Sequence, residues 1–161
     1  MKTLIIIRHA KAEQSHGLDS KRRLTERGHQ NAESMARHLL DKGYKIDKIF
    51  ASPSERTKET AEYFAKANEV AQTRIKYFDN LYLGDTLQFI ETINKIWENV
   101  DTLAIVGHNP GVTNFTNDIT GADIESLPTT GVAVINIDCD DWQQFNDAPK
   151  TLVEVDSPKN S

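Results

Sequence analysis

The chain contains a single cysteine, Cys139, in 161 residues. That excludes an internal disulfide and a multi-cysteine zinc site. Basic residues are not in excess either: 19 lysines and arginines stand against 24 aspartates and glutamates, a net charge of -5. A non-specific nucleic-acid binder needs a basic surface to displace counterions, so no nucleic-acid partner is expected. Long apolar runs are missing. The first, Leu4-Ile5-Ile6-Ile7, meets charge at Arg8, too short for a signal-peptide core or a membrane span. No membrane partner is expected, and the default location is the cytoplasm. Proline and glycine are sparse, at five and eight, with no repeat and no low-complexity stretch. No two histidines have tight ligand spacing, so neither a metal nor another cofactor is expected.

What remains is an ordinary globular composition, 38% hydrophobic and 27% charged. A chain of this size buries roughly 68–70% of its unfolded surface as one domain. We assign residues 1–156 to that domain and expect 157–161 to fray. Strand and helix patterns alternate, as in an α/β layered fold. The first strand, Thr3 to Ile7, has no polar alternation, which fits a central strand covered on both faces. Residues 14–23 read as a polar loop over the sheet edge. Thr25 then caps a helix whose apolar positions Ala32, Met35, Ala36, Leu39 and Leu40 share one face, and Gly43 stops it. Ile46 to Phe50 is a strand, Ser54 to Asn68 a helix, and Arg74 to Phe78 a further strand. Asp85 caps a helix carrying Leu87, Ile90, Ile93 and Trp97. Leu103 to Val106 is a strand that feeds a short helix after Pro110. Gly131 to Ile137 and Thr151 to Val155 are strands joined by an acidic turn at residues 138–141.

Three of the apolar runs end in residues suited to an anion. Leu4 to Ile7 ends in Arg8-His9, Ile46 to Phe50 in Ala51-Ser52-Pro53 with Arg56 beyond, and Leu103 to Val106 in Gly107-His108-Asn109-Pro110-Gly111. In an open parallel sheet the carboxyl ends of neighbouring strands meet at one crevice. Arginine offers a planar fork matched to phosphate oxygens. A neutral imidazole is a nucleophile toward phosphorus, and nearby arginines favour its neutral form. Arg56 lies one helical turn past Ser52-Pro53, where the helix N-terminus also favours an anion. His108 is a donor to a phosphoryl oxygen. Each segment has a plainer alternative: Arg8-His9 as a strand-end pair facing solvent, Arg56 as a solvated helix residue beside Lys58 and Glu59, His108 as a satisfied core histidine. His29 and His38 fall outside their helix's apolar stripe, facing solvent, and His16 lies in the loop after the first strand.

In order along the chain, Arg8-His9-Ala10-Lys11-Ala12, Asp19 through Gly28, Ser52-Pro53-Ser54-Glu55-Arg56-Thr57, Gly107 through Gly111 and Leu127 through Val134 resemble the histidine phosphatase superfamily, and within it the short SixA-type phosphohistidine phosphatases. The resemblance implies a phosphoglycerate mutase-like fold: a three-layer α/β sandwich with a mostly parallel central sheet flanked by helices, and no metal. It implies that His9 accepts the phosphoryl group, that Arg8, Arg56 and His108 form the phosphate pocket, and that Arg22 lies on a loop near it. The implied partner is a phosphohistidine-bearing signalling or phosphotransfer protein, with a small phosphorylated substrate as the alternative. A non-catalytic phospho-ligand binding module is a further alternative.

Three positions depart from the pattern. Ala10 replaces the glycine of the wider superfamily, as the SixA-like branch tolerates, and Arg23 stands where proline is common. The carboxylate general acid of mutases and acid phosphatases falls on Asn80, leaving Asp79, Asp85 and Asp19 as substitute proton donors. Each also reads as a turn residue, helix cap or loop charge. A positioned acid contributes about 10²–10⁴ in rate for an alkoxide leaving group. Imidazole, with a reference pKa of ~6.5, leaves with far less help. The gap at Asn80 therefore favours a phosphohistidine substrate. Length agrees, since little chain between Arg56 and His108 is left over for a lid.

Overall fold

The computed structural model describes residues 1–14 and 17–159. Its sheet has six strands: β1 (Lys2–Arg8), β2 (Lys48–Ala51), β3 (Ile75–Tyr77), β4 (Thr102–Gly107), β5 (Val132–Ile137) and β6 (Lys150–Asp156). Their order across the sheet is β3-β2-β4-β1-β5-β6. The pairs β3–β2, β2–β4 and β4–β1 are parallel, whereas β5 runs antiparallel to both β1 and β6. Four helices cover it: α1 (Glu26–Asp41), α2 (Glu55–Asn68), α3 (Thr86–Ile93) and α4 (Gly111–Thr120). This is the three-layer, mostly parallel α/β architecture expected.

The unalternating apolar run of β1 has a direct explanation. Ile5 and Ile7 pack with Met35, Ala36 and Leu39 of α1 and Phe64 of α2. Leu4 and Ile6 pack on the opposite face with Phe89 and Ile93 of α3 and Val112 and Phe115 of α4. Period-two side-chain direction sends neighbours to opposite faces, so a strand covered twice must be apolar throughout. Thr25 caps α1 by accepting from the Gly28 amide at 3.0 Å, and the chain leaves the helix through Gly43 at φ 96°.

Gly28 also illustrates a contest between two effects. Alanine is the better helix former by about 1 kcal/mol. Yet a Cβ here would lie 2.1 Å from the Lys11 carbonyl oxygen, a backbone atom. Overpacking of that kind costs about 1–3 kcal/mol, so it outweighs propensity. Gly28→Ala is expected to lower the urea unfolding free energy rather than raise it.

Several expectations are corrected. The helix capped by Asp85 ends at Ile93, and its buried positions are Phe89, Thr92 and Ile93. Leu87 and Trp97 are exposed, 68% and 84%. Of the apolar positions 87, 90, 93 and 97, Ile93 is in the core and Ile90 packs against it, so the spacing finds half of the packed face. The acidic turn at 138–141 opens a longer connection in which Trp142 and Phe145 are fully buried. The Trp142 indole N–H donates to the Val100 carbonyl at 2.6 Å. His29 is not simply solvent-facing: its Nδ1 lies 2.9 Å from the Tyr63 hydroxyl between α1 and α2. His38 is exposed, with Nε2 2.7 Å from Asp156 at the end of β6. His16 and the last two residues of the tail lie outside the described residues.

Candidate active site

Register brings the three strand ends level. Arg8 pairs with Gly107 across β1 and β4, and Ala51 pairs with Val106 across β2 and β4. Backbone bonds continue just past the ends, from the His9 amide to the Gly107 carbonyl (3.0 Å) and from the Ser52 amide to the Val106 carbonyl (3.1 Å). Arg8, His9, Ser52 and His108 therefore emerge side by side. Arg56 joins them from the first turn of α2, whose N-cap is Ser54.

His9 is buried, and its Nδ1 lies 2.7 Å from the Ala10 carbonyl. A carbonyl only accepts, so Nδ1 carries the proton and Nε2 keeps its lone pair. Burial pushes the His9 pKa down to about 4, with Arg56, Arg8 and Arg22 adding repulsion and the Ala10 bond opposing. His108 is pushed down to about 3, first by burial, then by Arg56 and His9. Both rings are neutral at pH 7. The arginines act in the expected direction, but loss of hydration is the larger cause. The ring centroids are 5.3 Å apart.

Among the described residues, five buried side-chain polar atoms have no hydrogen-bond partner, and three of them are Arg8 Nε, Arg56 Nε and His108 Nδ1. Buried polar groups are normally satisfied. A fourth, Thr130 Oγ1, sits on a residue whose amide donates to the His9 carbonyl at 3.1 Å. Thr130 is fully buried and holds φ at 60°, an uncommon conformation for a β-branched residue. Unsatisfied donors concentrated around one imidazole are what an oxyanion would satisfy.

Three of the four terminal nitrogens already donate within the protein. Arg8 Nη1 donates to the Leu127 carbonyl at 3.0 Å. Arg56 Nη1 and Nη2 donate to the Asp19 carbonyl and carboxylate at 2.8 and 2.9 Å. The loop after β1 thus folds back over the strand ends instead of only skirting the sheet edge. Arg22 Nη1 donates to Asp19 Oδ1 at 3.1 Å, so this arginine bonds the loop carboxylate and acts on His9 only through its charge. The Tyr82 hydroxyl donates to Asp19 Oδ2, and its ring lies 5.2 Å from His108. The bonds from Tyr82, Arg56 and Arg22 hold the Asp19 carboxyl far below the usual carboxylate range, against the effect of burial. Asp19 is therefore an anion. Asp85 caps α3 through the Gln88 amide, and Asp79 lies exposed on a short turn.

Ala10, in the glycine position, is fully buried against Leu24 and Ala32, which leave room for a methyl group. Arg23, in the proline position, reaches Glu59 at 3.4 Å. Tyr82, Thr130 and the role of Ser52 escaped sequence reasoning. The only available signal was position, next to Asn80, His9's partner strand and Arg56. A cleft of about 480 Å³ opens from His108 past Tyr82, Gly84 and Asp85. The described residues contain no group of three His, Cys, Asp or Glu able to hold a metal ion, and no helix long and apolar enough to cross a membrane.

The profile of the histidine phosphatase superfamily (branch 1) matches residues 4–103. An uncharacterized protein of Mycobacterium leprae (strain TN) is 27% identical over 95% of this chain and 100% of its own length. The crystal structure of SixA from Agrobacterium tumefaciens, assigned as a phosphohistidine phosphatase, superposes with a TM-score of 0.82 at 25% identity, covering 98% of each chain. The protein histidine phosphatase SixA in complex with tungstate gives a TM-score of 0.84 at 21% identity, again over 98% of each chain, a likeness of fold. With a family match over most of its length and a phosphatase fold throughout, the chain belongs to the histidine phosphatase superfamily, branch 1, and is a hydrolase acting on phosphoryl groups.

Proposed function

We propose that the protein removes phosphoryl groups from phosphohistidine on partner proteins through a covalent intermediate on His9. The observation that carries this reading is the His9 ring itself. Its Nδ1–H is tied to the Ala10 carbonyl, its Nε2 lone pair is open, and unsatisfied donors on Arg8, Arg56 and His108 surround it. In the first step the phosphoryl oxygens take the two arginine Nε–H groups, and Nε2 attacks phosphorus as the bond to the substrate's nitrogen breaks. Water then attacks the enzyme phosphohistidine, releasing phosphate and restoring neutral His9.

Among the described residues, the places taken by Asp19, Asp79 and Asp85 offer no ready acid, which fits this substrate. A leaving imidazole takes its proton on the ring nitrogen remote from phosphorus, so no donor is needed at the scissile bond. Asp19, held ionised by three donors, is in the wrong state to give a proton. The SixA likeness supports the same substrate class, as does a cleft rimmed by exposed Leu83 and Leu87, open enough for a histidine on another protein. We assign the protein to the cytoplasm, where such carriers work.

Asp19→Asn keeps an oxygen acceptor for Arg56 and is expected to hold kcat on a phosphoramidate within about threefold, whereas loss of a general acid costs about 10²–10⁴. Steady-state kinetics on a phosphohistidine-bearing protein and on an aryl phosphate ester, run in parallel, test the whole reading. Faster release from phosphohistidine is expected. Faster release from the ester, with Asp19→Asn, Asp79→Asn or Asp85→Asn abolishing it, would replace this reading with a small-molecule phosphomonoesterase. Saturable phosphate binding without turnover would leave a binding module.

A further inference from the structure

The two ring nitrogens of His108 stand in different situations. Nε2 lies 2.8 Å from Ser52 Oγ, and Nδ1 is buried without a partner. Ser52 is itself completely buried just past the end of β2. A neutral imidazole has one donor and one acceptor, and a hydroxyl can serve either role. The contact alone therefore does not say which nitrogen carries the proton.

The surroundings decide it. A phosphoryl oxygen only accepts, and Nε2 is occupied by Ser52, so His108 can serve a phosphoryl group only through an Nδ1–H. Nε2 must then accept, and the hydroxyl must donate. The other side of Ser52 Oγ agrees: it accepts from the Ser54 amide at the start of α2, at 3.5 Å, which fills one of its two acceptor sites and leaves its proton for His108 Nε2. The opposite tautomer would leave a lone pair on Nδ1 facing the incoming anion, with no proton to offer it.

We propose that Ser52 is a positioning residue whose hydroxyl donates to His108 Nε2 and so fixes the Nδ1–H tautomer that binds the transferring phosphoryl group. The statement rests on the function proposed above, which gives the phosphoryl group its place at Nδ1; the Ser52–His108 contact and the Ser54 amide beside it do not depend on that function. Ser52 touches no substrate atom and acts through His108 alone. His9 receives the same tautomer by a different device, the Ala10 carbonyl accepting from its Nδ1–H. The two histidines thus share a protonation pattern and differ in use: in His9 the unprotonated Nε2 faces outward to attack, in His108 it is consumed by Ser52.

Nitrogen-15 NMR of the ring nitrogens, on the full chain labelled at histidine, reads this directly. Wild type is expected to show His108 protonated at Nδ1 and unprotonated at Nε2. In Ser52→Ala the proton is expected to move in part to Nε2, while His9 keeps its wild-type pattern, which certifies that the site is folded. The same variant is expected to lose about 10²-fold in kcat on the best phosphoryl substrate, the scale for one lost donor to the transition state, with KM changed less than threefold. Ser52→Thr, which retains the hydroxyl, should restore the Nδ1–H signature. A wild-type spectrum with His108 protonated at Nε2, or a Ser52→Ala spectrum identical to wild type, would overturn the proposal. The expected spectra without turnover of any phosphoryl compound would uphold the tautomer assignment and remove the proposed function instead.

Discussion

His9→Ala is expected to abolish phosphate release, by about 10⁴-fold or more, while leaving anion binding in place. The two halves of that result come from different atoms. Turnover needs the Nε2 lone pair, and among the described residues the other imidazole at the crevice does not replace it: His108 Nε2 is taken by Ser52. Binding needs the unsatisfied donors on Arg8, Arg56 and His108, all of which remain. Groups that act on the same transferring phosphoryl are not additive, so removing the nucleophile costs nearly everything, whereas losing one donor costs about 10²–10³. The backbone at His9 is anchored independently of its side chain, by bonds to Gly107 and Thr130, so the variant should fold. Alkaline quenching of a radiolabelled substrate reads the chemistry: wild type retains an alkali-stable label that acid removes, and His9→Ala retains none. Tungstate titration reads the binding. Residual turnover above a hundredth of wild type would exclude His9 as nucleophile.

A second large effect is expected in stability rather than activity. His9 and His108 titrate near 4 and 3 in the folded protein against ~6.5 in an unfolded chain. Below pH 6.5 the unfolded chain therefore binds protons that the native state refuses, and stability falls as pH falls. Above pH 6.5 neither group contributes. The loss accumulates from pH 6.5 to about 4 for His9 and to about 3 for His108. With 1.36 kcal/mol for each pH unit and proton, the pair destabilises the fold by on the order of 5 kcal/mol between pH 7 and 4.5. That is comparable with the whole stability of an ordinary domain. Asp19 works in the same sense but at lower pH, because its stabilising contribution is lost as pH falls below the ordinary carboxylate range. Urea unfolding at pH 7, 5.5 and 4.5 measures the slope, and His108→Asn should remove about half of it. A wild-type slope no greater than that of His108→Asn would refute the assignment. The nucleophile itself stays neutral to about pH 4. Unfolding, not protonation of His9, then sets the acid limit of activity.

The parts of the site that lie at strand ends were legible because chain position alone places them. An aliphatic run followed by Arg8-His9, or by Gly107-His108, states both the strand and what projects from its end. Parallel pairing does the rest. What was not legible is held by long loops of chain. Tyr82 meets Asp19 across 63 residues, and no local pattern around Asn80-Leu81-Tyr82 announces that contact. Asp19 looked like a spare acid because its sequence neighbours do not show that Arg56 will claim it. Thr130 looked like part of a turn, and only its buried hydroxyl and its backbone angle set it apart. The third helix differs for a simpler reason: hydropathy weights Leu87 and Trp97 equally with Ile90 and Ile93, whereas the core takes Ile93 together with Phe89. Side-chain character can be read from sequence, but the direction each side chain faces is set by its neighbours.

The position of β4 has a consequence for how the protein comes into being. It lies between β1 and β2, yet it is synthesised after both. The first half of a nascent chain therefore carries His9 just past one strand and Arg56 on the helix after another, and those two strands are not neighbours in the native order. Only when Gly107 has cleared the ribosome, and β4 has slotted into the gap, do the two residues come within reach of one anion. A growing or truncated polypeptide is thus an inert one, unable to strip phosphoryl groups from its surroundings before the last central strand locks the enzyme on.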